Sequence, residues 1–271
     1  MKWHGDSLKH GEVDMNTLER SLIEKAGNDN GWEFVRESTE QRITLASLRH
    51  ECEVAITPIE KVEGEYRLVF SRHIDKIEVI RGMPEGIVLP GNTYRIWSVS
   101  LLGDFLHRVA ELFTALPSRP LDEYEKAVAA EISGSTDILG TESERLVRVR
   151  IGQDVYRKAL CAYWKEQCAV TGITIPQMLR ASHAKPWAEC ESDSERLNVY
   201  NGFLLAAHLD ALFDTGLISF NDTGSIMISS MLPSAELKLL SIDQTTTLRW
   251  IDSRHIPFLS CTLRCPHISK P

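Results

Sequence analysis

The segment Ser133-Gly134-Ser135-Thr136-Asp137-Ile138-Leu139-Gly140-Thr141 has the small, polar composition of a linker and breaks a chain of 271 residues near its middle. A chain of this length holds one large domain or two ordinary ones, and such a break selects two, 1–140 and 141–271. The charge divides at the same place. Residues 1–140 carry 16 basic and 24 acidic side chains, whereas residues 141–271 carry 14 of each, so the net −8 belongs to the first half. Hydrophobic residues make up 43% and charged residues 25%, the balance of a folded chain, which excludes disorder, collagen and coiled coil for the whole.

Local patterning points to an α+β fold. Met15, Leu18, Leu22 and Ile23 recur at helical spacing over 15–26. From Trp32 to Phe70 the pattern is that of strands, with runs at Glu53–Ile59 and Tyr66–Phe70 and a hairpin turn at 61–65. Ile74–Ile80 alternates apolar and charged residues imperfectly, Pro84, Gly86, Pro90 and Gly91 mark a loop, and Tyr94–Val99 is a further strand candidate. Leu102, Phe105, Leu106, Val109, Leu112, Phe113 and Leu116 form the apolar stripe of a helix that Pro117 ends. A second helix follows over about 122–132. In the second half, 142–150 leads into a helix over 153–167 with Val155, Leu160, Tyr163 and Trp164 on its core side. Leu217–Phe220 and Ser225–Ser229 are short strands joined by the turn Asn221-Asp222-Thr223-Gly224.

Between these lies the stretch that carries chemistry. Ala181-Ser182-His183-Ala184-Lys185-Pro186-Trp187 is followed by Asn198-Val199-Tyr200-Asn201-Gly202 and then by His208-Leu209-Asp210-Ala211-Leu212-Phe213-Asp214. A His, an Asn and a second His stand 18 and then 7 residues apart. Together with Val149–Gln153, Cys168–Gly172 and Gly216–Phe220, this stretch resembles the HNH endonuclease family over about 145–230. The resemblance implies a ββα-metal domain: an N-terminal α+β domain followed by a nuclease of two strands and a helix around one divalent ion.

Hydrolysing a phosphodiester needs a base for water, positive charge on the phosphoryl and leaving oxygens, and a scaffold that holds the base. By the resemblance, His183 is the base, since neutral imidazole is available near working pH. Asn201 fixes the strands and orients the base, its amide both donating and accepting; an Asn-Gly pair is equally a turn. His208 is the metal ligand. The richer family sites have further ligands where this chain has Ser182 and Leu212, so the ion would rest on few protein groups plus water and phosphate. That is the habit of Mg²⁺, or Mn²⁺, rather than of tightly held zinc. Asp210, about 200° around a regular helix from His208, and Asp214 read as groups that anchor the helix. Lys185 and Arg180 are candidates for substrate phosphate, Lys185 because two residues along a strand it shares a face with His183. Trp187 reads as core packing. The window 145–185 has a net charge of +6, either a solvated helix face or a strip for phosphates. No paired Cys-x-x-Cys is present, and the tail Cys261…Cys265-Pro266-His267, with His255, lacks zinc-finger spacing, so structural zinc is not expected.

The expected function is thus metal-dependent hydrolysis of DNA, in bacterial restriction or phage defence. A catalytically weak or inactive HNH-fold binding or assembly protein is the alternative, as is a nuclease silent until triggered through the first domain. Residues 1–140 are expected to confer specificity, regulation or partner binding, through a protein or a small-molecule signal. Their acidity disfavours a wide DNA surface. The aromatics Trp32, Phe34, Tyr66, Phe70, Tyr94 and Trp97 read as strand core rather than as a base-binding cage. No apolar run approaches about 20 residues, so no membrane span is expected. The sparse cysteines and the absence of an apolar signal core point to a reduced, cytoplasmic protein.

Overall fold

A computed structural model describes residues 14–59, 64–134 and 141–262. By internal contact the chain forms two compact units that divide between Phe113 and Thr114.

The first unit opens with α1 (Thr17–Asp29), started by a capping box in which Asn16 Oδ1 accepts from the Glu19 amide and Glu19 accepts from the Asn16 amide. Six strands follow: β1 (Phe34–Ser38), β2 (Ile43–Ala46), β3 (Glu53–Pro58), β4 (Tyr66–Phe70), β5 (Val88–Leu89) and β6 (Thr93–Ile96). They form one antiparallel sheet in the order β1-β2-β3-β4-β6-β5. In β4 the alternation is complete, with Tyr66, Leu68 and Phe70 inward and Arg67 and Val69 outward. Ile74–Ile80 contains the short helix α2 (Lys76–Ile80), because Asp75 caps the Ile77 amide, while Val79 on the helix and Ile74 before its cap are both buried. The stripe from Leu102 lies on α3 (Val99–Ala115), whose Leu102, Phe105, Leu106 and Val109 are fully buried. Trp32, Phe70, Tyr94 and Phe105 pack ring against ring, and the Trp32 indole donates to the Leu106 carbonyl. These aromatics are core, whereas Phe34 and Trp97 are partly exposed.

In the second unit α4 (Arg119–Gly134) packs along α5 (Thr141–Tyr163). The expected break at 133–141 therefore falls inside this unit, and residues 135–140 lie outside the described ones, as do 61–63 of the expected hairpin turn. The helix expected over 153–167 begins earlier, so 142–150 belongs to it. Beyond it come β7 (Leu179–His183), α6 (Asp193–Arg196), β8 (Gly202–Ala206), α7 (Ala207–Asp214), β9 (Ile218–Phe220), β10 (Ile226–Ile228), α8 (Ser234–Leu239) and α9 (Ile256–Thr262). β7 pairs antiparallel with β8, and β9 with β10. The β9–β10 turn forms as its sequence demands: Asn221 Oδ1 accepts from the Thr223 and Ser225 amides, and Gly224 takes φ +82°. The core is aromatic. Trp164 stacks on Trp250 at 4.3 Å, and Phe203 touches Phe213, Phe220 and His255. His255 is fully buried in that cluster, while Cys265 and His267 of the tail lie outside the described residues.

Candidate active site

The His–Asn–His spacing becomes geometry through the β7–β8 pair. His183, the last residue of β7, pairs with Gly202, the first of β8, which sets Asn201 beside the end of β7. β8 runs into α7 without a loop, so His208 is the second residue of that helix, which packs on both strands. A buried thiol secures this corner, since Cys168 Sγ accepts from the Ala206 amide at 3.2 Å and the Thr171 amide at 3.4 Å.

The His183 ring is held on several sides. Nε2 lies 2.8 Å from the Arg196 carbonyl, which can only accept, so Nε2 carries the proton and Nδ1 keeps its lone pair in the neutral ring. One face stacks on Tyr156 of α5, with centroids 3.8 Å apart and planes 20° apart. Trp187 meets the ring edge-on at 5.6 Å. Burial pushes the His183 pKa below its ordinary 6.5, against the smaller opposing pull of the Arg196 carbonyl. The neutral form is favoured.

Asn201 is fully buried and staples the loop between the strands. Its Oδ1 accepts from the Lys185 amide at 2.8 Å, and its Nδ2 faces the Lys185 and Glu195 carbonyls at 3.3 and 3.2 Å. The next carbonyl along, that of Arg196, accepts from His183 Nε2, so Asn201 bears on the His183 ring through the loop. Its own carbonyl accepts from the Ala184 amide and from the Tyr156 hydroxyl at 2.8 Å. Truncating Asn201 to alanine keeps the bonds to its main-chain carbonyl but strands the Lys185 amide and the Lys185 and Glu195 carbonyls. It is expected to cost about 2–3 kcal/mol in a urea titration, and a loss near zero would show that the staple is idle.

Tyr156 is the residue that sequence patterning missed. It supports the His183 ring with its own ring and the Asn201 carbonyl with its hydroxyl, yet it sits on a helix read only for its apolar stripe. One turn earlier, Gly152 seats Trp187: a Cβ there would come within 2.4 Å of the indole. Trp187 is therefore half-buried packing that also borders the His183 ring.

The remaining candidates differ in how far they are engaged. His208 is half-buried in the first turn of α7 and has no hydrogen-bond partner among the described residues. Asp210 accepts from the buried Ser182 hydroxyl, which ties α7 to β7 beside the base. Partial burial, then the Asp210 charge, raises the Asp214 pKa. β7 ends at His183, so strand alternation does not extend to Lys185, whose Nζ pairs with Glu195 at 2.8 Å. Arg180 is exposed and donates to the Gln177 and Leu179 carbonyls. The +6 strip is largely answered. Glu131 pairs with Arg150 and Glu123 with Lys158 across from α4, Glu144 pairs with Arg148, and Arg157 donates to the Leu179 and Pro176 carbonyls.

Among the described residues no three His, Cys, Asp or Glu side chains converge as metal ligands. A half-buried His208 without converging Cys, Asp or Glu ligands among the described residues fits an ion that keeps its own water and takes substrate oxygens, and does not fit a closed zinc cage.

Residues 168–221, from the Cys168 corner through β9, match the family model of the HNH endonuclease. No curated protein matches the chain.

Proposed function

We propose that this chain, whose residues 168–221 are an HNH endonuclease domain, hydrolyses DNA phosphodiester bonds with a divalent ion, Mg²⁺ or Mn²⁺. The observation that carries the reading is the pinned His183 ring, with Nε2 committed to the Arg196 carbonyl and burial favouring the neutral state. His183 Nδ1 takes the proton of the attacking water. Tyr156 and Trp187 hold the ring plane, and Asn201 holds the loop that supplies the Arg196 carbonyl. His208 would hold the ion, which when bound supplies positive charge to the phosphoryl and leaving oxygens. Asp210, through Ser182, keeps α7 and its His208 in register with β7. Arg180, exposed beside the site, is available to a flanking phosphate, and Lys185 is drawn on only by giving up Glu195.

For residues 1–140 we propose specificity, regulation or partner binding, in a restriction or phage-defence setting, which suits their acidity better than wide DNA contact. No helix among the described residues is long and apolar enough to cross a membrane.

The test is cleavage rate against pH with the ion saturating. A base must be neutral to act, so the rate is expected to rise with pH through an apparent pKa below 6.5 and then level off. A rate that falls from pH 5 to 7, or one with no acid limb at all, would remove His183 from the role.

A further inference from the structure

Beside the base, on the far side of Trp187, lies a cleft of about 500 Å³ that none of the roles above uses. Its lining includes Tyr124 of α4, Arg145 and Arg148 of α5, Trp187, and Asp193 and Arg196 of α6. Three guanidinium groups thus face one carboxylate. The volume is that of a site for a small organic ligand, within the usual range of about 300–1,000 Å³.

The cations differ in how far they are committed. Arg196 is spent on Asp193 and on the Trp187 and Cys190 carbonyls, and its guanidinium lies over the Trp187 ring. Arg148 pairs with Glu144, but both side chains are more than a third exposed, and pairs of that kind are worth little. Arg145, exposed and three residues earlier on the same helix face, has no ion pair among the described residues. Arg150 and Lys158, further along α5, are already paired with α4. Arg145, with the loosely paired Arg148 beside it, thus brings positive charge to this cleft. Two guanidinium groups at i and i+3 suit the oxygens of a phosphate, and the half-buried Trp187 ring offers flat apolar surface next to them, while Tyr124 is buried beneath with its hydroxyl on Arg148. The cleft adjoins His183 directly, because Trp187 touches the His183 ring and the Arg196 carbonyl accepts the hydrogen bond from its Nε2.

We propose that this cleft takes a phosphate-bearing nucleotide, one that flanks the cut in the strand acted on at His183, with its phosphate on Arg145 and Arg148. The link to the cut strand rests on the nuclease reading; nucleotide binding in the cleft does not.

The experiment measures binding by the full chain carrying His183→Ala, in EDTA, so that no cleavage intrudes. The probes are a short fluorescein-labelled single-stranded oligonucleotide, dAMP and inorganic phosphate. Arg145→Glu with Arg148→Glu is compared with Lys238→Glu, an equal charge change per site on the exposed face of α8. The double variant is expected to weaken oligonucleotide binding about tenfold or more and to flatten its salt dependence by about one to two units of slope, while Lys238→Glu does neither. Arg145→Gln alone, a milder change, should show the same effect in smaller measure. Loss of oligonucleotide binding without saturable dAMP binding supports the strand nucleotide. Saturable dAMP binding that the double variant abolishes, with oligonucleotide binding unchanged, supports the nucleotide site but replaces the strand by a free ligand. Unchanged binding of every probe in a folded double variant overturns the proposal. Because none of these readings needs cleavage, they stand or fall apart from the role of His183.

Discussion

Replacing His183 by alanine is expected to lower DNA cleavage by about 10²–10⁴-fold, the usual contribution of a positioned general base, while DNA binding and the fold persist. The ring is fixed by a stack on Tyr156, an edge contact from Trp187 and a hydrogen bond at Nε2, which leaves a single nitrogen able to accept a proton. Burial lowers the pKa, so that nitrogen is unprotonated at neutral pH. Removing the ring leaves a small void against Tyr156 and is expected to cost about 1–3 kcal/mol of stability, well short of unfolding an ordinary domain. Single-turnover rates, a thermal melt and a gel-shift titration separate the effects. A variant that stays folded and binds DNA yet cuts at the normal rate would mean that the proton goes elsewhere.

Gly202→Ala is expected to have the largest effect on stability. A Cβ at this position would lie 2.0 Å from the Ser182 carbonyl oxygen and 2.2 Å from the Tyr156 hydroxyl. The first is backbone of the paired strand, one residue before the base, and cannot swing away as a side-chain tip can. The strands must part, at a cost of about 3 kcal/mol, the upper part of the range for overpacking. Parting them also moves His183. Tyr156→Phe in the same chain removes one of the two clashes, so the double variant should regain part of the lost stability. An alanine variant as stable as the parent in urea would show that the strand pair is looser than these distances imply. The glycine of the Asn201-Gly202 pair is thus required by close approach, with the asparagine serving as a staple rather than only as a turn residue.

Local patterns were enough for much of this. The stripe on α3, the alternation of β4 and the Asn221–Gly224 turn are each set by neighbours in sequence, and each forms as patterned. The His183, Asn201 and His208 spacing marked the residues that β7, β8 and α7 bring into one motif. What stayed illegible depends on distant partners. Tyr156 supports the base from 27 positions away in sequence, outside the stretch that the spacing marks. Lys185 looked free for phosphate until the loop folded Glu195 onto it. The +6 window was counted without Glu123, Glu131 and Glu144, which lie outside it and cancel much of it. Ile74–Ile80 alternates, yet one capping aspartate turns it into a helix.

The central claim is that His183 and a divalent ion together cut DNA. The most direct measurement incubates the purified chain with supercoiled plasmid across a titration of Mg²⁺ and of Mn²⁺, beside an EDTA control and the His183→Ala variant. Cleavage is predicted in the presence of the ion, and its loss both in EDTA and in the variant. Failure to cut with either ion, or equal cutting by His183→Ala, would contradict it.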